Sequence, residues 1–456
     1  MKISNFFKTD YCDFASYDNY RKIASCIDGL KPSSRKCIYS IIKNNVVTPK
    51  KVSQLKSDAA SMTQYLHGDQ SLEGVLVGLA QDFVGTNNLP LLQREGTFGN
   101  RLIPAAAAGR YIFTCKEPYL DKIFRKEDNS ILIEQVFEGD VIEPKYYVPV
   151  VPLLVINGSI GLTTGFNQKI LPHSLDDVIT YIENKLNGKK NNIELIPSFN
   201  GFEGEVIKND KKEDECSWLI TGKIKKISQI KIEINEVPPS YSLESYLSEL
   251  DKLEEAKKIK EYQDLSENGK FKIEVTLFRN NGLTVDTPNL LTELKLVDSI
   301  TENYTSLNEN NKVVEFKSIY EVIDNYYNVR LKYYDIRKNN LIKELTKRIL
   351  ENYSKYLFIK GVIEKEIIIS NKPDEDIIKQ LEKIEKISKI NDSYDYLLNM
   401  PMRSITKTQY EKLKNEIKSM KEELTKLKET SNIDMWKDDL KLLKKALIKW
   451  TINLNN

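Results

Sequence analysis

Histidine is nearly absent: two residues in a chain of 456. That leaves too few ligands for a histidine-based metal site. The five cysteines (Cys12, Cys26, Cys37, Cys115, Cys216) are odd in number and form no CxxC pair. No disulfide framework and no structural zinc is expected from them, and a reducing compartment suits them. No apolar run approaches the ~20 residues that a membrane span needs. The first residues, MKISNFFKTDYCDF, carry no signal-peptide pattern, so the expectation is a soluble, cytoplasmic protein without a membrane partner. Excess charge is lacking too: the net value is +2, which announces no nucleic-acid binder by itself.

What is present is a chain with 40% hydrophobic residues, long enough for roughly three domains. Arginine is distributed unevenly. Arg21, Arg35, Arg94, Arg101, Arg110 and Arg125 all lie before residue 126, whereas lysine supplies most positive charge afterwards. The planar arginine fork suits phosphate better than the flexible lysine ammonium, so oxyanion recognition near one end is one reading. Drift in the composition of an A+T-rich genome is the other.

The stretch Gln93 to Phe113 reads QREGTFGNRLIPAAAAGRYIF. Glycines flank Thr97-Phe98, and Arg110 directly precedes Tyr111. A basic fork beside an oxygen nucleophile, on backbone that a ligand can approach closely, suits attack of Tyr111 on a phosphate with Arg110 steadying the charge. A phenol titrates near 10 and is a poor nucleophile until placed and partly deprotonated. Charge spreading over the non-bridging oxygens calls for positioned cations.

Upstream, residues 1–27 read as an arm and a helix. DGLKPSSRKCIYSIIKNN (28–45) gives a turn and then a helix that Ser33 or Ser34 can cap, with Cys37, Ile38, Ile41 and Ile42 on one face. Arg35 and Lys36 fall in its first turn, where the dipole is already positive. Either an anion docks there or the turn is simply solvated. Residues 51–85 read as two helices joined at His67-Gly68-Asp69, the second with Leu72, Val75, Leu76, Leu79 and Phe83 inward. The three helices make a helix-turn-helix-like unit of the kind that offers a helix to duplex DNA. His67 is either structural or part of that interface.

Further on, Leu153 to Ile156 is expected to be extended, with a turn at Asn157-Gly158. Gly161 and Gly165 bracket Leu162-Thr163-Thr164, so Leu162 is either core or an apolar wedge between base steps. Residues 175–188 form an amphipathic helix. The segments 201–210, 217–227, 229–238 and 269–278 read as strands around a polar helical stretch at 242–262.

From about residue 317 long helices take over. Tyr410, Leu413, Ile417, Met420, Leu424 and Leu427 form one seam, and Trp436, Leu440, Leu443, Leu447, Trp450 and Leu454 another. The helix from Tyr326 to Phe358 carries a looser one. An antiparallel coiled coil with a small globular tip follows. SYDYLLNMPMRSIT (393–406) is expected to offer apolar surface to a second copy or another protein. Asp374, Glu375 and Asp376 read as a helix N-terminus and not as a metal site.

Five segments occur together in register: DGLKPSSRK (28–36), YLHGDQSL (65–72), GTFGNR (96–101), AAAAGRYIF (105–113) and NGSIGLTTGF (157–166). This set resembles the type II DNA topoisomerases, in particular the breakage-reunion part of the eukaryotic enzymes and the medium subunit of T-even-like phage topoisomerases. The resemblance covers essentially the whole chain. It implies an α+β multidomain fold: an N-terminal arm (1–27), a winged-helix-like DNA-cleavage domain (28–150), an α/β tower domain with a DNA-bending loop (151–316), and a coiled coil with a dimerisation region (317–456).

By the same resemblance Tyr111 forms a 5′-phosphotyrosyl link and Arg110 stabilises the transition state. Arg35 and His67 contact DNA, and Leu162 takes the place of the residue that intercalates and bends the cut segment. The basic residues in and beside these segments, Lys31, Lys36, Arg94 and Arg101, are expected to contact DNA as well. Two positions depart from the pattern: Leu66, where a second histidine is frequent, and Gly109, where a side chain is usual. Neither Gly-rich phosphate loops nor an acidic metal set after a strand is visible. The resemblance therefore implies that ATP and Mg²⁺ are carried by a large partner subunit, with no metal ligands in this chain. Double-stranded DNA is the implied substrate, and two tyrosines for two strands imply a homodimer joined through the coiled-coil tip. A chain that ends at its last long helix, without a wrapping domain, is expected not to supercoil. A non-enzymatic DNA-organising protein is the alternative, though it leaves Arg110-Tyr111 without a purpose.

Overall fold

Pro32 opens helix α3, and its missing N–H costs nothing at a first helical position. In a computed structural model describing residues 3–210, 216–279, 283–370, 372–384, 386–390 and 392–454, α1 spans Ile3–Lys8, α2 Asp10–Lys22 and α3 Pro32–Lys43. The capping expectation is corrected here. Lys31 is the N-cap residue and no side chain caps α3. Helices α4 (Val52–Met62) and α5 (Gln70–Ala80) follow, with the turn at His67 to Asp69 between them as the sequence implied.

The chain divides into two compact units, Met1–Arg330 with Asp439–Asn456, and Leu331–Asp438. In the first, α3, α4 and α5 pack together through Cys37, Ile38, Ile41, Leu55, Ala59, Leu72 and Leu76, all essentially inaccessible. Each helix contributes one apolar stripe at three- and four-residue spacing, and three stripes close one core. Strand β1 (Lys50–Lys51) pairs antiparallel with β2 (Phe113–Thr114), which fixes the arginine-tyrosine stretch against the start of α4.

Leu153–Asn157 is a short helix and not an extended strand. Residues 153–156 are all buried, and an unbroken apolar run without alternation fits either conformation; burial on every side settles it. The hairpin Ser159–Leu162 with Asn167–Ile170 comes next. The expected strands are found in two antiparallel sheets. One has the order Glu261–Asp264, Ile273–Thr276, Lys231–Glu236, Lys223–Lys226, and the other Val297–Thr301, Ser217–Thr221, Glu205–Lys208. The polar stretch 242–262 divides into the helix Leu243–Glu255 and the beginning of a strand. That helix buries Tyr246, Leu250 and Leu253 against Ile232, Ile234, Ile273 and Val275 of the four-stranded sheet.

The last helix, Asn432–Leu454, returns to the first unit through charge. Asp439 lies 3.2 Å from Arg125 and 3.9 Å from Arg330, and Arg330 lies 3.0 Å from Asp128.

The second unit is built on the helix Ile319–Ile363, seven residues longer at its start and five at its end than the apolar seam suggested. Its partner is Lys407–Glu429. Tyr356 stacks on Tyr410, centroids 4.7 Å apart, while Lys338 donates to the carbonyls of Lys428 and Thr430, so the two helices run antiparallel. A tip core gathers Phe358, Ile367, Ile377, Leu381, Ile387, Tyr394 and Leu397. The segment 393–406 divides between the core of the tip and its surface. Tyr394 and Leu397 are buried in the tip itself, and Tyr396, Leu398, Met400 and Ile405 are half-buried against the same cluster. Among the described residues no helix is long and apolar enough to cross a membrane.

Candidate active site

The site is a tight turn held from both sides. Tyr111 N–H donates to the carbonyl of Ala108 at 2.9 Å, which closes a β-turn with Gly109 and Arg110 at its centre. From the start of α4, Ser53 N–H donates to Gly109 O and Val52 N–H to Ile112 O, both at 3.1 Å. From the first turn of α5, Glu73 Oε1 accepts the Gly109 N–H at 2.7 Å. Behind the turn, Phe113 and Glu95 exchange backbone bonds of 2.9 and 3.0 Å. The segment before it is pinned at Gly99, whose φ is +83° and whose missing Cβ would lie 2.3 Å from Pro104 O, so only glycine serves there.

This scaffold presents Tyr111 to solvent with 68% of its surface exposed. The Arg110 guanidinium stands 5.3 Å from the centroid of that ring, and among the described residues it has no carboxylate partner. An exposed phenol and an uncommitted cation therefore share one turn.

The nearest acids are already engaged. Glu73 Oε2 lies 3.1 Å from Lys56 Nζ, which also reaches Gln70 Oε1 at 2.9 Å and Asp69 at 3.9 Å. Partial burial works to raise the Glu73 carboxyl, but the Gly109 N–H and the Lys56 charge outweigh it and hold it below the ordinary range. Among the described residues no group of three or more His, Cys, Asp or Glu side chains stands ready to hold a metal ion.

The other residues singled out in the sequence divide sharply. Arg35 is corrected: its side chain is 3% exposed, and it binds Asp28 through Nε at 2.7 Å and Nη2 at 3.1 Å. Burial opposes its charge, and the Asp28 carboxylate more than compensates, so its pKa is raised. Arg101 is corrected too. It donates to the carbonyls of Val237, Pro238 and Tyr241 and lies 3.5 Å from Glu236, with its side chain 8% exposed. It ties the glycine loop to the four-stranded sheet instead of facing solvent. Lys36 is likewise committed, to Glu143 at 2.8 Å and to Thr63 O. Lys31 Nζ donates to Ile160 O at 2.7 Å, and burial lowers its pKa. Arg94 remains partly exposed beside Asp82 at 2.9 Å.

His67 is exposed, with Nε2 2.8 Å from Tyr17 Oη and the Tyr65 ring edge-on at 5.4 Å. Leu66 beside it is 75% exposed. The second histidine, His173, is wholly buried and bonds the carbonyls of Leu171 and Val155; burial lowers its pKa to about 4. Leu162 is 75% exposed, which excludes the core reading. Its hairpin is moored to α2, since Asp18 accepts from both the N–H and the hydroxyl of Thr164.

Several neighbours escaped the sequence reading. Lys50 and Lys51 are exposed on β1, beside the strand that follows Tyr111. Arg21 is exposed over the Tyr17 ring, at 5.6 Å. The Lys-Lys pair ahead of α4 was a visible signal; Glu73 and Tyr17 gave none, because their partners are distant in sequence.

Comparison with known proteins gives the family. The family model for the A-type subunit of DNA gyrase/topoisomerase IV matches residues 21–441. The mitochondrial DNA topoisomerase 2 of Dictyostelium discoideum is 33% identical over 94% of this chain and 34% of its own length. DNA topoisomerase 2 of Invertebrate iridescent virus 6 is 30% identical over 96% of this chain and 38% of its own. The chain thus spans about a third of the length of the curated relatives it matches. Among solved structures, the DNA-binding, cleavage and re-ligation domain of Plasmodium falciparum topoisomerase II superposes with a TM-score of 0.87 at 28% identity, covering 99% of this chain and 65% of that one. With the match running through nearly all of its length, the chain belongs to the family of DNA gyrase/topoisomerase IV A-type subunits.

Proposed function

We propose that this chain is the DNA-cleaving and resealing part of an ATP-dependent type II DNA topoisomerase. The observation that carries the reading is the exposed Tyr111 phenol beside the uncommitted Arg110 guanidinium, in a chain of this family. The Tyr111 oxygen attacks a backbone phosphorus. A P–O bond to tyrosine forms, the bond to the 3′ oxygen breaks, and the 3′ hydroxyl leaves with a proton. Arg110 stabilises the charge on the non-bridging oxygens; removing one such donor commonly costs ~10²–10³ in rate. The phosphotyrosyl link keeps the energy of the phosphodiester, so the reverse step reseals the strand without ATP.

Lys50, Lys51 and Arg21 join Arg94 as the cations available to the duplex backbone, with the exposed His67 beside them as a hydrogen-bonding group, while Leu162 projects from its hairpin to wedge between base steps. ATP and Mg²⁺ belong to a partner polypeptide or module in this reading. Cutting both strands takes two copies of Tyr111, so the chain works as a dimer. The half-buried faces of Tyr396, Leu398, Met400 and Ile405 at the tip are the candidate joining surface.

The test mixes the chain with its ATPase partner, supercoiled plasmid and Mg²⁺, then denatures with detergent. Protein linked to 5′ DNA ends is expected, and Tyr111→Phe is expected to abolish it. Adducts that persist in Tyr111→Phe would remove the nucleophile from this assignment.

A further inference from the structure

We propose that Glu73 and Gly109 form an exchanged pair, in which a carboxylate from α5 fills the space of a side chain at position 109 and sets the turn that carries the nucleophile. The proposal rests on the assignment of Tyr111 above and adds Glu73, with Lys56, as a positioning residue for it.

Gly109 is buried, yet its backbone lies outside the left-handed region, so conformation alone does not demand glycine. Space does. A Cβ built there would lie 2.6 Å from the Glu73 carboxyl carbon and 2.7 and 2.9 Å from its two oxygens. These are distances that real Cβ atoms do not show. The clashing group is also a bonding group, because Glu73 Oε1 accepts the Gly109 N–H at 2.7 Å. Without it that N–H, at the second position of the β-turn, would lose its partner in a buried place.

Both carboxylate oxygens are engaged, Oε1 by the amide and Oε2 by Lys56 at 3.1 Å, so Glu73 acts through the backbone and not on substrate. Lys56 has a second effect. A carboxylate bonded to the backbone two residues before the group that meets phosphate would repel the duplex, and the lysine neutralises it. Glu73 also sits in the first turn of α5, where the helix dipole favours a negative charge. Gly109 is thus the receiving half of a lock.

Four variants of the complete enzyme test this: E73A, E73Q, G109A and the double E73A/G109A. The readouts are the rate of covalent adduct formation on a labelled duplex and hydrogen exchange of the peptide containing Gly109, with duplex affinity and melting as controls for folding. E73A is expected to slow adduct formation by ~10–100-fold, the scale of a displacement near 1 Å, with duplex affinity little changed. E73Q keeps an acceptor oxygen and is expected to stay near wild type in both readouts. G109A collides with the intact carboxylate and is expected to lose as much as E73A. The double variant adds no collision to the lost acceptor and is expected to match E73A. Faster exchange at Gly109 is expected in E73A and not in E73Q. An E73A variant that cleaves and exchanges like wild type, or a double variant as poor as the product of the singles, overturns the lock. Failure of the wild-type enzyme to form any adduct would instead remove the nucleophile assignment, and the exchange pattern would still decide the lock.

Discussion

Replacing Arg35 with leucine separates two readings of one residue. Asp28 is wholly buried, and its carboxylate accepts from Leu30 N–H and Tyr147 N–H, each at 3.0 Å, besides the two Arg35 donors. Arg35→Leu takes away the only countercharge among those four bonds and leaves a buried anion with two backbone donors. Breaking a buried pair in this way costs about 3–5 kcal/mol. For a folded unit of roughly 350 residues, an unfolding entropy near 2.1 cal/mol/K per residue converts that to a fall in melting temperature of about 4–7 °C. The second arm is Asp28→Asn with Arg35→Leu, which removes both charges and keeps one acceptor oxygen, for either Leu30 or Tyr147; part of the loss should return. Differential scanning calorimetry reads both arms, and a salt titration of duplex affinity reads the competing idea. A phosphate-contacting arginine would leave melting unchanged and, once removed, reduce the slope of log affinity against log salt by about one. Unchanged melting with that loss of slope refutes the buried-pair reasoning.

Leu162→Ala is expected to leave stability within about 0.5 kcal/mol, because the side chain is 75% exposed, and to reduce the bending of the cut segment measured by energy transfer between duplex ends. Unchanged bending would take the wedge role from it. His173 supplies a pH dependence. Its pKa, ordinarily near 6.5, is lowered by burial to about 4 in the fold, so between those values only the unfolded chain takes up the proton. Stability from this group is complete above about pH 6.5 and falls as pH drops towards 4, by a total of about 3 kcal/mol. Denaturant titrations across that window should show a shallower slope in His173→Asn; an identical slope means another group titrates there.

Much of the fold was written locally. The stripes Cys37-Ile38-Ile41 and Leu72-Leu76-Leu79, and Leu413-Ile417 and Trp436-Leu440-Leu443 in the long helices, repeat at helical spacing on buried faces. Proline at 32 and glycine at 99 mark a helix start and a close approach that depend on neighbours within a few residues. The turn at His67 and the Arg110-Tyr111 pair were legible for the same reason. Leu153 to Ile156 was not, since an apolar run too short to show a period is decided by what surrounds it.

The sequence by itself determined the helices, the strands and the identity of the arginine-tyrosine turn, because periodicity and turn chemistry act over a few residues. Only the tertiary structure decided which cations remain free. Arg35 and Arg110 are the same residue type in matched segments, yet one is closed around Asp28 and the other stands open beside Tyr111. Arg101 is spent on Glu236 and on carbonyls far along the chain, and Gly109 is explained by a carboxylate on another helix. Charge acts through space, so the availability of a guanidinium depends on which acids and carbonyls folding brings within a few ångströms of it.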